Sequence, residues 1–308
     1  MLRMRQKKFD ADLIYTWLPQ SALIGIKAGY PVVLEMHADI TGRLGTWWLS
    51  QFLKANGRKL MTVTNQALQK ALEKKTKLKL SPEAVLIAGN GVELEKYVQL
   101  PKPVEARNQL NLKQGLTVGF TGHIYAGRGA DLLFELAKRM PQVNFLWVGG
   151  TPELVEFWKN KLREENILNV TMTGFVKHDV IHLYQAAADV LLMPYSNSIS
   201  ASSGQDIAEV INPMKMFEYM ASGRAIVSAD LTSIREVLNE GNCVFVEVGN
   251  RELGIGNRES VIGKWKVEIE KLLADESLRM KLGSQARKDV EQFSWVKREE
   301  RILRGLNL

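Results

Sequence analysis

The sequence predicts an α/β fold made of two Rossmann-like, doubly wound parallel-sheet domains, of which the first is incomplete. Short runs rich in β-branched residues alternate with helical patterns along the 308 residues, which is the order of a parallel sheet with crossover helices. The predicted strands are apolar throughout, as expected when helices cover both faces of a sheet. A proline-rich polar segment at 101–105 divides the alternation into two series, and a chain of this length is expected to hold about two domains.

The first series supplies only part of a domain. Its predicted strands lie at 12–16, 31–36, 59–64 and 84–88, and its predicted helices lie at 18–28, 43–56 and 65–75. These strands are too few for a complete doubly wound sheet, and the series opens directly on a strand. We therefore predict that residues 1–105 are the back half of a domain, whose exposed sheet edge is covered by a second copy or by a partner chain.

The second series holds enough strands for a complete doubly wound sheet. We predict that this domain spans residues 106–292, and that residues 293–308 form the terminal helix of a helical tail that begins at about 258. Its predicted strands lie at 116–121, 143–148, 169–173, 189–193, 225–229 and 243–247, and its predicted helices lie at 129–140, 153–166, 178–187, 213–222 and 232–239.

The composition is that of an ordinary soluble globular protein, with 45% apolar and 24% charged residues. No apolar run is long enough to cross a membrane, and no apolar signal core follows the basic start of the chain. The single cysteine, Cys243, lies in an apolar run, so we expect a buried, inert thiol rather than a nucleophile. A cytoplasmic location is expected from these features.

The net charge of +7 suits an anionic partner, namely nucleic acid, an anionic membrane surface or a phosphorylated substrate. No zinc-finger, RNP-like or KH-like pattern is present, so we do not expect nucleic acid. The basic run from Lys70 to Lys79 is most simply a solvated helix end, although such runs also attract anionic lipid. Trp47 and Trp48 lie in an apolar helical stripe with Phe52; core packing is the favoured interpretation, and peripheral membrane contact is the alternative.

Glycine-rich turns follow the strands of the second series, at the sheet edge where open α/β sheets bind ligands. Gly122–Gly129 enters a helix, and its glycines let the backbone approach a phosphate that Arg128 can clamp. Gly149 begins the next turn, and the backbone of Gly174–Val176 can meet the flat edge of a base. Each turn has an ordinary structural explanation, but their occurrence at one edge predicts a nucleotide site.

The helix that contains Glu218 is the most informative stretch of the chain. It follows an irregular segment from Tyr195 to Asn212, and loops of that length inside a compact domain are usually functional or disordered. Asn212 is predicted to cap the helix and Gly223 to end it. Its first turns carry Lys215, suited to phosphate, and Glu218, suited to ribose hydroxyls; the alternative is a solvated i,i+3 ion pair.

Six stretches of the second series carry a specific resemblance: Val118–Gly122, Arg128–Leu133, Phe145–Gly150, Val170–Val176, Leu183–Tyr195 and Pro213–Val227. They resemble the donor-nucleotide domain of retaining glycosyltransferases of family 4, which have the GT-B fold. In the first series, Val33–His37 resembles the strand that ends in an active-site histidine, and Ala88–Glu93 resembles a turn of the family. Phe293–Trp295 resembles the start of the terminal helix that crosses back to the first, acceptor-side domain.

The resemblance implies a retaining transfer of a sugar from a UDP- or GDP-sugar to an acceptor such as a glycan or a lipid, without a divalent metal or other cofactor. It implies that Glu218 binds the ribose, that Arg128 stabilises the leaving diphosphate, and that His37 lies near the transferred sugar. The base would meet the backbone of Gly174–Val176. The donor site would also include Gly122, His123, Gly149, Phe175, Met214 and Lys215.

The sequence departs from the family pattern at three places. The family often has a second glutamate eight residues before Glu218, where this chain has Val210. Either Glu209, one position away, replaces it as a catalytic carboxylate, or that group is absent. His123 stands where many members have arginine. The strand and glycine-rich loop that open the family's first domain have no counterpart, so we expect a truncated first domain.

Two other functions remain open. A truncated relative could bind nucleotide without catalysis or serve as an interaction protein. A nucleotide-sugar epimerase on the same fold would need carboxylates from both domains, and the first series offers few beyond Glu35 and Glu93. His178 and His182 have the i,i+4 spacing of metal ligands, but a solvated helix face is expected there because no third ligand is evident.

Overall fold

The structure is a computed structural model that describes residues 11–125, 127–199, 206–248 and 255–306. The chain divides into two compact units. The first contains the residues up to Gly91, the segment Glu209–Asn212 and the residues from Trp295 onward. The second contains Val92–Ala208 and Pro213–Ser294. Each unit has a sheet of parallel strands with helices between them, which confirms the predicted α/β class.

The sheet of the first unit has four strands in the order β1-β2-β3-β4. Every residue of the central strand β2 is buried, as the apolar run predicts. The strands are β1 (Ile14–Thr16), β2 (Val32–Met36), β3 (Lys59–Val63) and β4 (Val85–Ile87), and the helices between them are α1 (Pro19–Lys27), α2 (Gly42–Lys54) and α3 (Gln66–Thr76).

The last helix of the chain, α12 (Trp295–Gly305), also lies in the first unit. Ile302 and the following Leu306 are buried in one apolar cluster with Val33 and Leu60. The cluster joins the end of the chain to the central strands of this sheet. The side chain of Arg298, on the same helix, is buried as well.

The second unit has a complete doubly wound sheet with the strand order β10-β9-β8-β5-β6-β7. The first strand of this unit, β5, therefore lies between β6 and β8, and the chain winds outward from it in both directions. Ligands of such sheets bind in the crevice beyond the carboxyl ends of the two strands at this switch point, here β5 and β8. The strands are β5 (Thr117–Thr121), β6 (Asn144–Val148), β7 (Val170–Gly174), β8 (Val190–Met193), β9 (Ala225–Ala229) and β10 (Val244–Val246).

Eight α-helices are described in the second unit. They are α4 (Pro103–Gln109), α5 (Ala130–Arg139), α6 (Pro152–Glu164), α7 (Ile181–Ala186), α8 (Met214–Ser222), α9 (Thr232–Arg235), α10 (Ile255–Ala274) and α11 (Glu276–Asp289). Their places between the strands agree with the predicted alternation, except that α4 was not predicted. Gly223 ends α8 in the left-handed conformation, as its position predicts.

The proline-rich segment at 101–105 is not where the described units divide. The division falls at Gly91, and Pro103 begins α4 because proline is well suited to the first position of a helix. The stretch before α4 packs within the second unit. The hydroxyl of Tyr97 donates a hydrogen bond to Gln185 Oε1 (2.8 Å), and Arg224 Nη2 donates to the carbonyl oxygen of Pro101 (2.9 Å).

Helix α2 buries one face and exposes another. Leu49 and Phe52 are buried, whereas Trp47 is 50% exposed and its ring meets the Trp48 ring edge-on at a centroid distance of 4.8 Å. Two residues along a helix correspond to a rotation of about 200°, so Trp47 and Leu49 cannot share a face. The core-packing prediction is therefore wrong for Trp47.

Two expectations based on composition can be checked on the described residues. Cys243 is buried beside β10 without a disulfide partner, which confirms the predicted burial, and burial raises the pKa of its thiol, as expected for an unreactive one. Among the described helices, none combines the length and the apolar character that crossing a membrane requires.

Candidate functional site

Three glycine turns lie side by side at the carboxyl edge of the second sheet. Gly122 (φ 123°), Gly149 (φ 117°) and Gly174 (φ 71°) all adopt positive φ values, which side-chain-bearing residues rarely do. The Gly149 N–H donates to the Gly174 carbonyl oxygen (2.8 Å). A Cβ atom on Gly149 would lie 2.3 Å from the Gly122 carbonyl oxygen. Glycine at these positions therefore lets bare backbone line the edge beyond β5, β6 and β7.

The loop after β5 packs tightly against the chain that follows β8. A Cβ atom on Gly127 would lie 2.0 Å from the carbonyl oxygen of Ser198, and one on Gly129 would lie 2.2 Å from that of Pro194. Arg128 is held between these two glycines, and its Nε atom is buried without a hydrogen-bond partner in the described part of the chain. The loop thus fixes the backbone of Arg128 at the switch point of the sheet.

Lys215 places a second cation beside this loop. The residue is 8% exposed, and its Nζ lies 3.8 Å from the centre of the Phe120 ring. A Cβ atom on Gly122 would lie 2.9 Å from this nitrogen, so the amine rests against the glycine turn. Among the described residues, Lys215 Nζ has no hydrogen-bond acceptor. Burial, and then the charge of Arg128, lower the pKa of Lys215 well below its usual value, and Glu218 opposes them only in part.

The first turn of α8 is not capped by a side chain. Its N-cap position is occupied by Pro213, and the predicted cap by Asn212 is wrong. Asn212 instead binds within the first unit, where its Oδ1 accepts from the Asn90 N–H (2.7 Å) and its carbonyl oxygen accepts from Asn90 Nδ2 (2.6 Å). The exposed side chain of Met214 and the buried one of Lys215 belong to the uncapped turn, which is suited to an anion.

Glu218 is buried one turn further along α8 and is held by two side chains. His178 Nε2 lies 2.8 Å from Glu218 Oε1, and Gln185 Nε2 donates to Glu218 Oε2 at 3.0 Å. Tyr97 completes the network through its hydrogen bond to Gln185. The alternative of a solvated ion pair between Lys215 and Glu218 is wrong, because both residues are buried. The expectation that His178 lies on a purely solvated helix face is wrong too.

His123 lies near Arg128 and Lys215, but it does not supply the positive charge that an arginine at this position would supply. Its ring stacks on Tyr125, with a centroid distance of 4.9 Å and an interplanar angle of 7°. Partial burial lowers the pKa of His123, and the charges of Arg128 and Lys215 lower it further. The lowered pKa disfavours a charged imidazole, so Arg128 and Lys215 are the basic groups of this region that suit an anion.

The turn predicted to meet a base runs directly into the Glu218 network. Phe175 is 80% exposed, and Val176 packs against a buried cluster that includes Ala186 and Ala187. The next turn, the 3₁₀ helix His178–Val180, supplies the imidazole that contacts Glu218. One short segment thus carries both an exposed aromatic ring and a residue bound to the carboxylate.

The remaining predicted residues lie in the first unit. His37 follows β2 and is about half exposed, and its Nε2 lies 2.8 Å from Glu35 Oε1. Glu35 also accepts hydrogen bonds from Tyr15 and Arg298. Burial alone would raise the pKa of Glu35, but the bonds from His37 and Tyr15 and the charge of Arg298 lower it to about 2.

Glu209 is exposed in a 3₁₀ turn, Ala208–Val210, whereas Val210 at the family position is buried. Asn65 Nδ2 donates to the Val210 carbonyl oxygen (3.0 Å), and Asn65 Oδ1 accepts from the Leu68 N–H (2.8 Å), so one asparagine caps α3 and fixes this turn. Since β3 ends at Val63, the turn is held at the carboxyl edge of the first sheet.

The structure therefore brings the predicted donor-site residues of the second unit to one sheet edge. Sequence reasoning missed two further residues there, Tyr97 and Gln185, and also the contact that His178 makes with Glu218. One signal was available, since Gln185 is a polar residue within an apolar helical run that ends in three alanines. No group of three or more possible metal-ligating side chains is found in the described ranges.

Residues 115–255 match the sequence profile of the family described as glycosyl transferases group 1. The chain is 29% identical over 206 residues to TuaH of Bacillus subtilis strain 168, named as a teichuronic acid biosynthesis glycosyltransferase, with 66% of this chain and 48% of TuaH covered. It is 28% identical over 169 residues to the alpha-galactosylglucosyldiacylglycerol synthase of Streptococcus pneumoniae strain R6, with 52% of this chain and 41% of the synthase covered.

Among solved structures, HepE of Anabaena in complex with UDP superposes with a TM-score of 0.78 at 18% identity, covering 99% of this chain and 81% of HepE. Identity this low shows a common fold and nothing more. The chain spans about half the length of the curated relatives it matches. The chain therefore has the GT-B fold, and its second unit carries a domain related to the glycosyl transferases of group 1.

Proposed function

We propose that this chain acts as a glycosyltransferase that moves a sugar from a nucleoside-diphosphate sugar to an acceptor. The observation that carries the proposal is a pair of basic side chains beside bare glycine backbone: Lys215 is buried, and neither its Nζ nor the buried Nε of the partly exposed Arg128 has a hydrogen-bond partner among the described residues. Burying uncompensated charge costs free energy, so a doubly charged anionic ligand is the expected partner. The names of the matched relatives support the same reaction class.

The two cations provide what the departure of a nucleoside diphosphate requires. As the glycosidic bond breaks, negative charge grows on the phosphate oxygen and the sugar takes on oxocarbenium character. Fixed cations and backbone N–H donors stabilise that charge without reorganisation. We propose that Arg128 and Lys215, with the turns at Gly122 and Gly149, supply this stabilisation and make a divalent metal unnecessary.

We propose that Glu218 accepts hydrogen bonds from the ribose hydroxyls, with the base near Gly174–Val176. A carboxylate has about four lone-pair sites, and His178 and Gln185 use two of them. The remaining sites suit the two hydroxyl donors of a ribose. UDP is our first choice of nucleotide, because HepE was crystallised with UDP and with UDP-glucose.

We propose that the transfer retains the anomeric configuration, as in family 4, and that His37 and Glu209 act on the sugar. The half-exposed position of His37 and the exposure of Glu209 support these roles. The epimerase alternative is less well supported, because Glu35 is engaged by Tyr15, His37 and Arg298. The two basic side chains suit a non-catalytic, nucleotide-binding relative equally well, so assays of turnover must separate that alternative from an enzyme.

We further propose that the acceptor is a membrane lipid or a membrane-linked glycan, and that α2 contacts an anionic membrane from the cytoplasmic side. Leu44 is 75% exposed beside the half-exposed Trp47, and Arg43 precedes them. The helix carries no acidic residue between Gly42 and Lys54. Exposed apolar side chains flanked by cations are typical of a helix lying at a membrane surface. The diacylglycerol named in one matched relative supports such an acceptor.

The test is calorimetry with UDP, GDP and ADP, followed by assays of transfer or hydrolysis of the matching sugar nucleotides. We expect one diphosphate to bind and its sugar conjugate to be cleaved. NMR of the product would show whether the anomeric configuration is retained. The proposal fails if none of the three diphosphates binds, and binding without turnover of any sugar conjugate would favour the non-catalytic alternative.

A further inference from the structure

The carboxylate of Glu218 is clamped at both of its oxygens by side chains from other elements of the second unit. His178 comes from the 3₁₀ turn after β7 and contacts Oε1 at 2.8 Å. Gln185 comes from α7 and donates to Oε2 at 3.0 Å. A terminal carboxylate torsion is broad when free, so two bonds from opposite sides fix an orientation that α8 alone does not determine.

The amide of Gln185 is itself oriented. The residue is fully buried, and its Oε1 accepts a hydrogen bond from the Tyr97 hydroxyl at 2.8 Å. A tyrosine hydroxyl that donates to Oε1 leaves the NH₂ group of the amide facing the other way, toward Glu218. The chain of bonds from Tyr97 through Gln185 therefore presents a donor, never an acceptor, to the carboxylate.

His178 holds the outer side of the same carboxylate. The imidazole is about half exposed, and either a neutral ring protonated at Nε2 or a protonated ring can donate to Glu218. The carboxylate is thus bound on its inner side by a buried amide and on its outer side by a ring at the protein surface. A ligand diol would complete its hydrogen bonding.

We propose that His178 and Gln185 are positioning residues that orient Glu218 toward the two hydroxyls of a ribose, and so make the site select ribonucleoside over deoxyribonucleoside diphosphates. This inference rests on the proposed function, because it assumes that Glu218 meets the ribose. Neither residue needs to touch the nucleotide. Misplacing the carboxylate would weaken hydrogen bonds to the hydroxyls and leave binding of the base and diphosphate unchanged.

The test compares the affinities of UDP and 2′-deoxy-UDP by calorimetry. For the wild type we expect UDP to bind roughly tenfold more tightly, as a hydrogen bond to a charged group implies. In His178→Ala and in Tyr97→Phe the ratio should fall severalfold toward one, mainly through weaker UDP binding. His178→Gln, which restores an N–H donor, should recover much of the ratio.

The control is Asp179→Ala, a change on the same turn at a residue whose side chain is 83% exposed, which should leave the ratio as in the wild type. Thermal unfolding of each variant shows whether it folds, and Tyr97→Phe is chosen over a change at the fully buried Gln185 because it keeps the aromatic ring and its packing. The inference is overturned if the His178 and Tyr97 variants weaken both nucleotides equally. A wild type that binds UDP without discriminating 2′-deoxy-UDP overturns the ribose role of Glu218, whereas failure to bind any diphosphate overturns the proposed function itself.

Discussion

Lys215 Nζ lies 3.8 Å from the centre of the Phe120 ring, and its hydrogen-bonding capacity is unused within the described part of the chain. The ring face offers some stabilisation to a cation, but much less than the water that burial removes. Burial and the neighbouring Arg128 accordingly lower the pKa of the amine well below its usual value. A diphosphate arriving beside this amine would supply the negative charge that the free protein lacks.

This relationship predicts that UDP binding takes up a proton. At a pH above the lowered pKa of free Lys215, the amine is neutral, and a bound diphosphate raises its pKa and reprotonates it. UDP affinity should therefore fall as the pH rises from that lowered pKa toward the usual value near 10.4. Calorimetry in two buffers of different ionisation enthalpy, repeated at several pH values below 10, measures the uptake directly.

The control for proton uptake is a matched pair of variants. Lys215→Met should abolish the buffer dependence and weaken UDP binding, whereas Lys113→Met, at an exposed lysine, should change neither. Equal binding enthalpies in both buffers at every pH would show that UDP binding takes up no proton, which contradicts the prediction.

Arg128 is predicted to matter more for turnover than for donor affinity. Its backbone is held between the tightly packed Gly127 and Gly129 before any ligand arrives, and charge on the diphosphate is greatest as the glycosidic bond breaks. Arg128→Ala should lower kcat by roughly 10²–10³-fold, as removal of one fixed donor does elsewhere, with a smaller loss of UDP affinity. Steady-state kinetics beside calorimetry separates the two effects, and parallel losses in both would assign Arg128 to ground-state binding only.

The strands and the donor edge could be predicted because their signals are local. The apolar runs that became β5–β10 and the glycines after β5, β6 and β7 are visible within a few residues of sequence. The same is true of Glu218, whose helix ends at Gly223 as its pattern indicates. A glycine at a strand end and a charged residue in an apolar helix can be interpreted from the neighbouring sequence alone, without knowledge of the tertiary contacts.

What sequence reasoning missed depends on contacts between distant segments. His178 and Gln185 reach Glu218 because the strand order places β7, α7 and α8 at one edge, and no local pattern encodes that pairing. Asn212 has the right residue type for a helix cap, but its side chain binds Asn90, which lies 122 positions earlier in the chain. In both cases a side chain binds a residue that is distant in the sequence, and not the local partner that the sequence suggests: Glu218 binds His178 and Gln185 instead of Lys215, and Asn212 binds Asn90 instead of capping α8.

Gly149 is predicted to be intolerant of any side chain. Its φ of 117° is disfavoured for other residues, and a Cβ atom would clash with the Gly122 carbonyl oxygen. Gly149→Ala should lower the free energy of unfolding by about 2 kcal/mol or more. Gly263→Ala is the matched control, because that glycine lies within α10 with open space around it and should stabilise the protein by roughly 0.5–1 kcal/mol. Urea unfolding measures both, and a neutral effect at Gly149 would show that the turns can separate.

The exposed face of α2 is predicted to bind anionic vesicles. Trp47→Ser together with Leu44→Ser should reduce sedimentation with phosphatidylglycerol vesicles at least severalfold, because both side chains are exposed in the free protein. Val98→Ser removes an equally exposed apolar side chain from the second unit and serves as the control. Binding that is unchanged in the double variant would mean that α2 is not the membrane contact.

The Glu35 cluster is predicted to make the stability of the protein depend on acidic pH. The pKa of Glu35 is lowered to about 2 by His37, Tyr15 and Arg298, which outweigh the effect of burial. A lowered carboxyl pKa contributes stability that is full above the unfolded value near 4.5 and is lost as the pH falls from there toward 2.

Arg298→Met leaves a buried carboxylate without its cation, so it should lower the free energy of unfolding by roughly 3 kcal/mol at pH 7. At pH 3 that difference should shrink, because without Arg298 the pKa of Glu35 rises and the variant then buries a neutral acid instead of an unpaired charge. Urea unfolding at both pH values tests this, with Arg304→Met, at an exposed arginine of the same helix, as the control. A loss at Arg298 that is equal at pH 7 and pH 3 would assign the effect to packing of the arginine rather than to its charge.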